Sequence, residues 1–229
     1  MRKVTITIVC AMLGGTMLML FGICVIWQCM DVKAQEFPQK PLVPFPCNVI
    51  DTELRALQLA RYEGPFWEDN TETEVVDVAA LVIENMGAFL AEGAVILEWE
   101  QDRMVFEFYD LPPGERVLIL EKDRKQFRLG TPVACYGWDR EAYHENMGHV
   151  FVEDAGGAAM AVTNRTNGTV PVTQISYKSR DPGSGMFIGG ISYRVQVRNL
   201  LPGERRIVTP YHYASGSSEI LYVITWVED

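Results

Sequence analysis

Two stretches of this chain repeat one another in register, and the repetition limits the possible folds more than any other feature. Ala80-Leu81-Val82-Ile83-Glu84-Asn85 recurs as Ala159-Met160-Ala161-Val162-Thr163-Asn164, 79 positions later, and Ile96 falls on Ile175 at the same offset. Leu111-Pro112-Pro113-Gly114-Glu115-Arg116 recurs as Leu200-Leu201-Pro202-Gly203-Glu204-Arg205 at the larger offset of 89, so the second copy has a longer middle. Trp138 and Trp226 then close the two copies. A chain that duplicates a strand, a turn and a corner in the same order builds one supersecondary unit twice.

The units read as β-structure. From Val75 onward the chain consists of short runs rich in Val, Ile, Phe, Tyr and Trp, separated by Gly, Pro, Asn and Asp. Strands are predicted over 75–84, 94–100, 104–109, 116–121 and 133–138, and again over 149–152, 158–163, 170–178, 187–197, 205–213 and 219–227. In Met104-Val105-Phe106-Glu107-Phe108-Tyr109, Met104, Phe106 and Phe108 share one wholly apolar face, which predicts a core on that side. Asp181-Pro182-Gly183-Ser184-Gly185 lies in the longer middle and predicts a turn at a hairpin tip.

Two segments precede the repeats. Phe37 to Pro46 carries four prolines in ten residues, which excludes a helix or a central strand and predicts an extended stalk. Asp51 to Arg61 places Leu54, Leu57 and Ala60 at helical spacing behind a capping aspartate, which predicts one short helix packed against the first repeat.

A strand ending in Asn, about 25 residues, then Leu-x-Pro-Gly-Glu before an apolar strand resembles the bacterial cell-surface immunoglobulin-like modules of the CARDB and FxLYD type. The likeness covers residues 75–229 and rests on turn motifs. It implies an all-β fold of two tandem small antiparallel β-sandwich domains, in a family of spacers, adhesion modules and binding modules. The first copy departs by being short, with five predicted strands, and the helix is the expected complement. The organisation predicted is a transmembrane anchor or signal segment over 1–30, a Pro-rich stalk over 31–50, the short helix with the first β-sandwich repeat over 51–140, and the second repeat over 147–229.

Val4 to Trp27 is an apolar run of 24 residues with Arg2 and Lys3 before it and Asp31 after it. That length spans a bilayer, and the charges put the N-terminus inside and the repeats outside. Val32-Lys33-Ala34 before Gln35 also fits a signal cleavage pattern, so the alternatives are a single-pass membrane protein and a secreted one. Cys24 follows Ile23 and Cys29 follows Gln28, which excludes a lipidated cysteine. Beyond residue 30 there are 18 basic and 30 acidic side chains, a formal charge of −12, which argues against nucleic acid as a partner. Cys10, Cys24 and Cys29 lie in or beside the apolar run, leaving Cys47 and Cys135 as a candidate disulfide in an oxidising exterior.

No catalytic constellation is legible. His144 and His149 stand five apart with Gly148 between them, not at the i, i+4 spacing of a zinc-protease helix. Gly183-Ser184-Gly185 follows a turn rather than a strand-to-helix step, so it is no nucleophile elbow. Glu153, Asp154, Asp102 and Asp110 show neither calcium-loop density nor a glycosidase pattern. His212 is expected at an exposed or edge position. Trp99, Trp138 and Trp226 are expected in the core, with a sugar-binding platform as the other reading. The expectation is therefore a bacterial envelope protein without catalytic residues, cofactor or metal. Its modules serve structural display or the binding of a cell-surface protein or glycan, and the alternative is a secreted hydrolase or metal-dependent enzyme on a β scaffold.

Overall fold

The computed structural model describes residues 45–68, 71–128, 132–142 and 149–226. The apolar run over 4–27, the stalk up to residue 44 and His144 lie outside the described residues. Among those described, no helix is long and apolar enough to cross a membrane.

The described chain is all β, with strands β1 (Cys47–Asn48), β2 (Leu54–Glu68), β3 (Thr71–Asn85), β4 (Ala91–Trp99), β5 (Asp102–Leu111), β6 (Arg116–Leu120) and β7 (Ala134–Glu141) in the first half. The second half holds β8 (Val150–Gly156), β9 (Ala159–Asn164), β10 (Val170–Ser179), β11 (Phe187–Ile188), β12 (Tyr193–Leu200), β13 (Arg205–Val208) and β14 (Ser218–Trp226). They form four sheets, ordered β1-β2-β3-β6-β11, β5-β4-β7, β13-β9-β8 and β12-β10-β14. Each half pairs two sheets around its own apolar core, an arrangement compatible with β-sandwiches. Leu81, Ile83, Val95, Leu97, Met104, Phe106 and Phe108 fill the first core, and Met160, Val162, Ile175, Tyr177 and Val197 the second. Met104, Phe106 and Phe108 point inward together, because alternate residues of a strand face one side.

The short helix predicted over Asp51 to Arg61 is a strand. Leu54 to Tyr62 pairs antiparallel with Val78 to Asn85, and Asp51 sits in a turn with φ +63° instead of capping a helix. β3 supplies a ladder for this segment, and a bulge between Ala56 and Gln58 shifts its alternation, so the inward residues are Leu54, Ala56 and then Leu59 rather than the Leu54, Leu57 and Ala60 of the expected stripe. The stalk also ends earlier than predicted: β1 pairs with β2, Val49 is buried in the first core, and Ile50 bridges to Tyr136 of β7. The predicted strand over 187–197 divides into β11 and β12, and the one over 205–213 stops at Val208.

The repeated motifs are one hydrogen-bonded unit, built twice. Asn85 is buried, and its Nδ2 donates to the carbonyls of Phe89 and Leu111, both at 2.8 Å, while Oδ1 accepts from Gly87 N at 2.9 Å. Asn164 does the same with Gly168 and Leu200 at 2.8 and 3.0 Å and with Thr166 N at 2.9 Å. The corner returns the contact, since Gly114 N donates to Asn85 O and Gly203 N to Asn164 O. Both glycines have φ near +70°, a conformation that side-chained residues rarely adopt. Asn thus sits at the strand end because buried carbonyls on a corner need a donor.

The longer middle of the second copy crosses into the first. β11 adds to β6 as a parallel strand, and Phe187 is fully buried in the first core. Tyr109 N donates to Gly190 O at 2.7 Å and Gly189 N to Leu118 O at 2.9 Å. A Cβ on Gly190 would stand 2.2 Å from Glu107 O, so the segment lies flat on β5 only because this residue has no side chain. Lys178 of β10 is fully buried, and its Nζ donates to Tyr109 O, Gly190 O and Ile191 O at 3.1, 3.2 and 2.9 Å. Arg180 Nη1 meets Glu115 Oε2 at 2.8 Å, and Tyr222 OH reaches the buried Asp110 at 3.2 Å. Residues 41–229 accordingly form one compact unit.

Candidate functional site

Where the crossing segment leaves the second core, it walls a cavity of about 550 Å³ lined by residues of both halves. Tyr62 comes from β2, next to the second β2 bulge, between Tyr62 and Gly64. Arg180, Asp181 and Ile188 come from the crossing segment, and Tyr193, His212 and Tyr213 from the second half. A smaller cavity of about 330 Å³ lies beyond Tyr193, bounded by Ser192, Thr209 and Tyr211.

The floor is aromatic. Tyr177 and Tyr193 stack at 5.6 Å between centroids, Tyr213 meets Tyr177 edge-on at 5.7 Å, and the His212 ring lies 5.0 Å from Tyr193. Burial raises the Tyr213 hydroxyl above its ordinary pKa, with Asp154 adding to it, and does the same to Tyr62 with help from Asp181. These phenols are therefore neutral donors at physiological pH.

His212 is held in a strained turn. Its φ is +56°, an uncommon conformation outside glycine that concentrates at functional positions. Its carbonyl accepts from Ser179 Oγ at 3.3 Å and Ser218 Oγ at 3.4 Å, and Ser215 N ties the loop to Gly157 O at 2.7 Å. Its Nε2 is buried with no hydrogen-bond partner, as is Ser192 Oγ at the second cavity. Buried polar atoms without partners are uncommon.

The neighbouring charges are already engaged. Arg180 donates to Glu115, Glu219 and Gly185 O and covers the Phe187 ring at 3.8 Å, and its carboxylate partners raise its pKa. Asp181 Oδ2 accepts Ser184 N at 2.7 Å in the predicted turn, and hydrogen bonds from Ser184 hold its pKa low.

The residues singled out in the sequence fall elsewhere. Cys47 and Cys135 come together as free thiols, and burial first, then the neighbouring Cys47, push the Cys135 thiol up to about 12. Asp102 binds Lys125 and Arg128, Glu153 pairs with Arg205, Asp154 caps the turn at Gly156 and accepts from Ser215, and Asp110 takes Tyr222. Among the described residues, no three His, Cys, Asp or Glu side chains converge as metal ligands. Trp99 packs on the first core, but Trp138 and Trp226 are 49% and 47% exposed instead of buried. Register explains this. Cys135 and Gly137 oppose the core-facing Leu97 and Val95, so Trp138, opposite Ala94, takes the outer face.

His212 and its cavity were not legible as a site. The only signal was the aromatic cluster Tyr211-His212-Tyr213, which reads equally well as a strand. No known family matches the chain, and no curated protein or solved structure matches it.

Proposed function

We propose that this chain is a non-enzymatic envelope protein of the bacterial surface that binds a cell-surface glycan in the cavity between its two halves. In this reading the apolar segment over 4–27 holds it in the membrane, or is cleaved to release it. Residues 51–140 and 147–229 are two immunoglobulin-like modules of the CARDB/FxLYD kind, facing outward. The observation that carries the binding function is the unpartnered, buried Nε2 of His212 beside the Tyr193 ring, in a cavity of about 550 Å³. A sugar ring offers hydroxyls to the imidazole and an apolar face to the tyrosine, which is what this lining can use.

The arrangement favours binding over hydrolysis. Asp181 and Arg180 are committed to the turn and to the Glu115 and Glu219 carboxylates, whereas a hydrolytic site needs a base hydrogen-bonded to a nucleophile. Because Tyr193 lines both cavities, an extended chain of sugar units suits the site better than a single ring.

Titration of the full chain in detergent against cell-wall and capsular oligosaccharides, followed by intrinsic fluorescence, tests the reading. Saturable binding that falls at least tenfold in Tyr193→Ala and His212→Ala is the expected result. Binding unchanged by both substitutions, or no binding to any saccharide, overturns it.

A further inference from the structure

We propose that Cys47 and Cys135 form an intrachain disulfide that locks the N-terminal segment to the far sheet and removes most of the first half from the path of a pulling force. The inference goes beyond glycan binding and is independent of it.

The two thiols belong to opposite layers. Cys47 lies on β1, paired with Ala56 of β2, and Cys135 lies on β7, paired with Leu97 of β4. They meet at the edge where residues 49–50 cross between the layers: Val49 is buried in the core, and Ile50 N donates to Cys135 O at 3.4 Å. Both side chains pack half-buried on the first core as neighbours, which is the proximity a disulfide needs. β1 is only two residues long, and its pairing with β2 is a weak attachment for the segment leading to residue 44.

The oxidant is a disulfide, either of a thiol-oxidising protein or of a small molecule. The Cys47 thiolate, its proton passed to water, attacks one sulfur of that disulfide and expels the first thiolate. Cys135 then loses its proton and attacks the Cys47 sulfur, expelling the second. The two cysteines lose two hydrogens, and the oxidant leaves as two thiols. Tension entering at residue 46 then passes from Cys47 straight to Cys135, and the 87 residues over 48–134 carry none of it.

The full chain is held in detergent with oxidised glutathione, alkylated, and digested without reductant. A peptide joining Cys47 to Cys135 is the expected product. Recovery of either cysteine alkylated, capped by glutathione or joined to another cysteine, from protein whose circular dichroism is folded, overturns the proposal. Wild-type protein reduced with a phosphine serves as the comparison, so no variant has to fold. Its melting point falls by about 10 °C on reduction. In single-molecule pulling through the chain ends, the reduced protein extends by about 300 Å more than the oxidised one when the first half unfolds. Equal extensions overturn the force-path claim.

Discussion

The two halves share their closing corner down to individual hydrogen bonds, yet each carries extensions that the other lacks. The first has the long β2–β3 hairpin and the entering segment at 47–50, and the second has the crossing segment around β11. The shared part is local and self-sufficient: a buried asparagine, a Gly corner at positive φ, and the strands beside them. The unshared parts make the pair asymmetric, because Phe187 fills a core that belongs to the other half and Tyr62 reaches the cavity beside His212. Duplication thus supplied two similar scaffolds, and insertions outside the repeated motif joined them and created a cavity that both halves line.

The largest expected effect is at the bolt between the halves. Lys178→Ala takes the lysine donor from the Tyr109, Gly190 and Ile191 carbonyls, of which Gly190 O keeps Tyr109 N, and opens a cavity, costing about 4 kcal/mol. Scanning calorimetry is expected to show one transition split into two, and a single unshifted transition would mean that the halves are coupled by other contacts. Next come Asn85→Ala and Asn164→Ala. Each leaves corner carbonyls without their donor, at about 3 kcal/mol in urea unfolding. The comparison requires the two losses to be similar, and a difference of several-fold breaks the claim that the corners are equivalent. Gly190→Ala forces the crossing segment off Glu107 O and is expected to cost about 2 kcal/mol, with weaker ligand binding, whereas Gly168→Ala, whose Cβ would meet open space, changes neither.

The smallest effect depends on pH. The Arg180 guanidinium hydrogen-bonds Glu115 and holds its carboxyl below the ordinary value of 4.5. A depressed folded value stabilises above the unfolded value and loses that contribution as pH falls through the folded one. Solvent screens this partly exposed pair, so the contribution is below about 1 kcal/mol. Melting curves of wild type and Glu115→Gln should therefore differ at pH 7 and converge as pH falls through the folded value, below 4.5. A constant difference across that range would remove Glu115 from the contacts that join the halves.

Strand identity was legible wherever alternation ran unbroken, as in Met104 to Tyr109, and the corners were legible because Pro-Gly-Glu and the strand-end Asn recur. The β2 strand was not. Its bulge at Ala56–Gln58 moves Leu59 onto the inward face one residue late, which breaks the period of two that marks a strand. The tryptophans misled for a related reason: composition marks them as strand residues, but only register decides which face they occupy.

The duplicated order of strand, turn and corner, the all-β character and the acidic balance were determined by sequence alone, since propensity, period and turn chemistry act between near neighbours. Tertiary structure alone decided that Phe187 belongs to the other half's core, that Lys178 is buried against three carbonyls, and that His212 faces a cavity with its Nε2 unpartnered. These contacts join residues far apart in the chain, where neither spacing nor composition carries a signal, and they exist because two cores closed against each other.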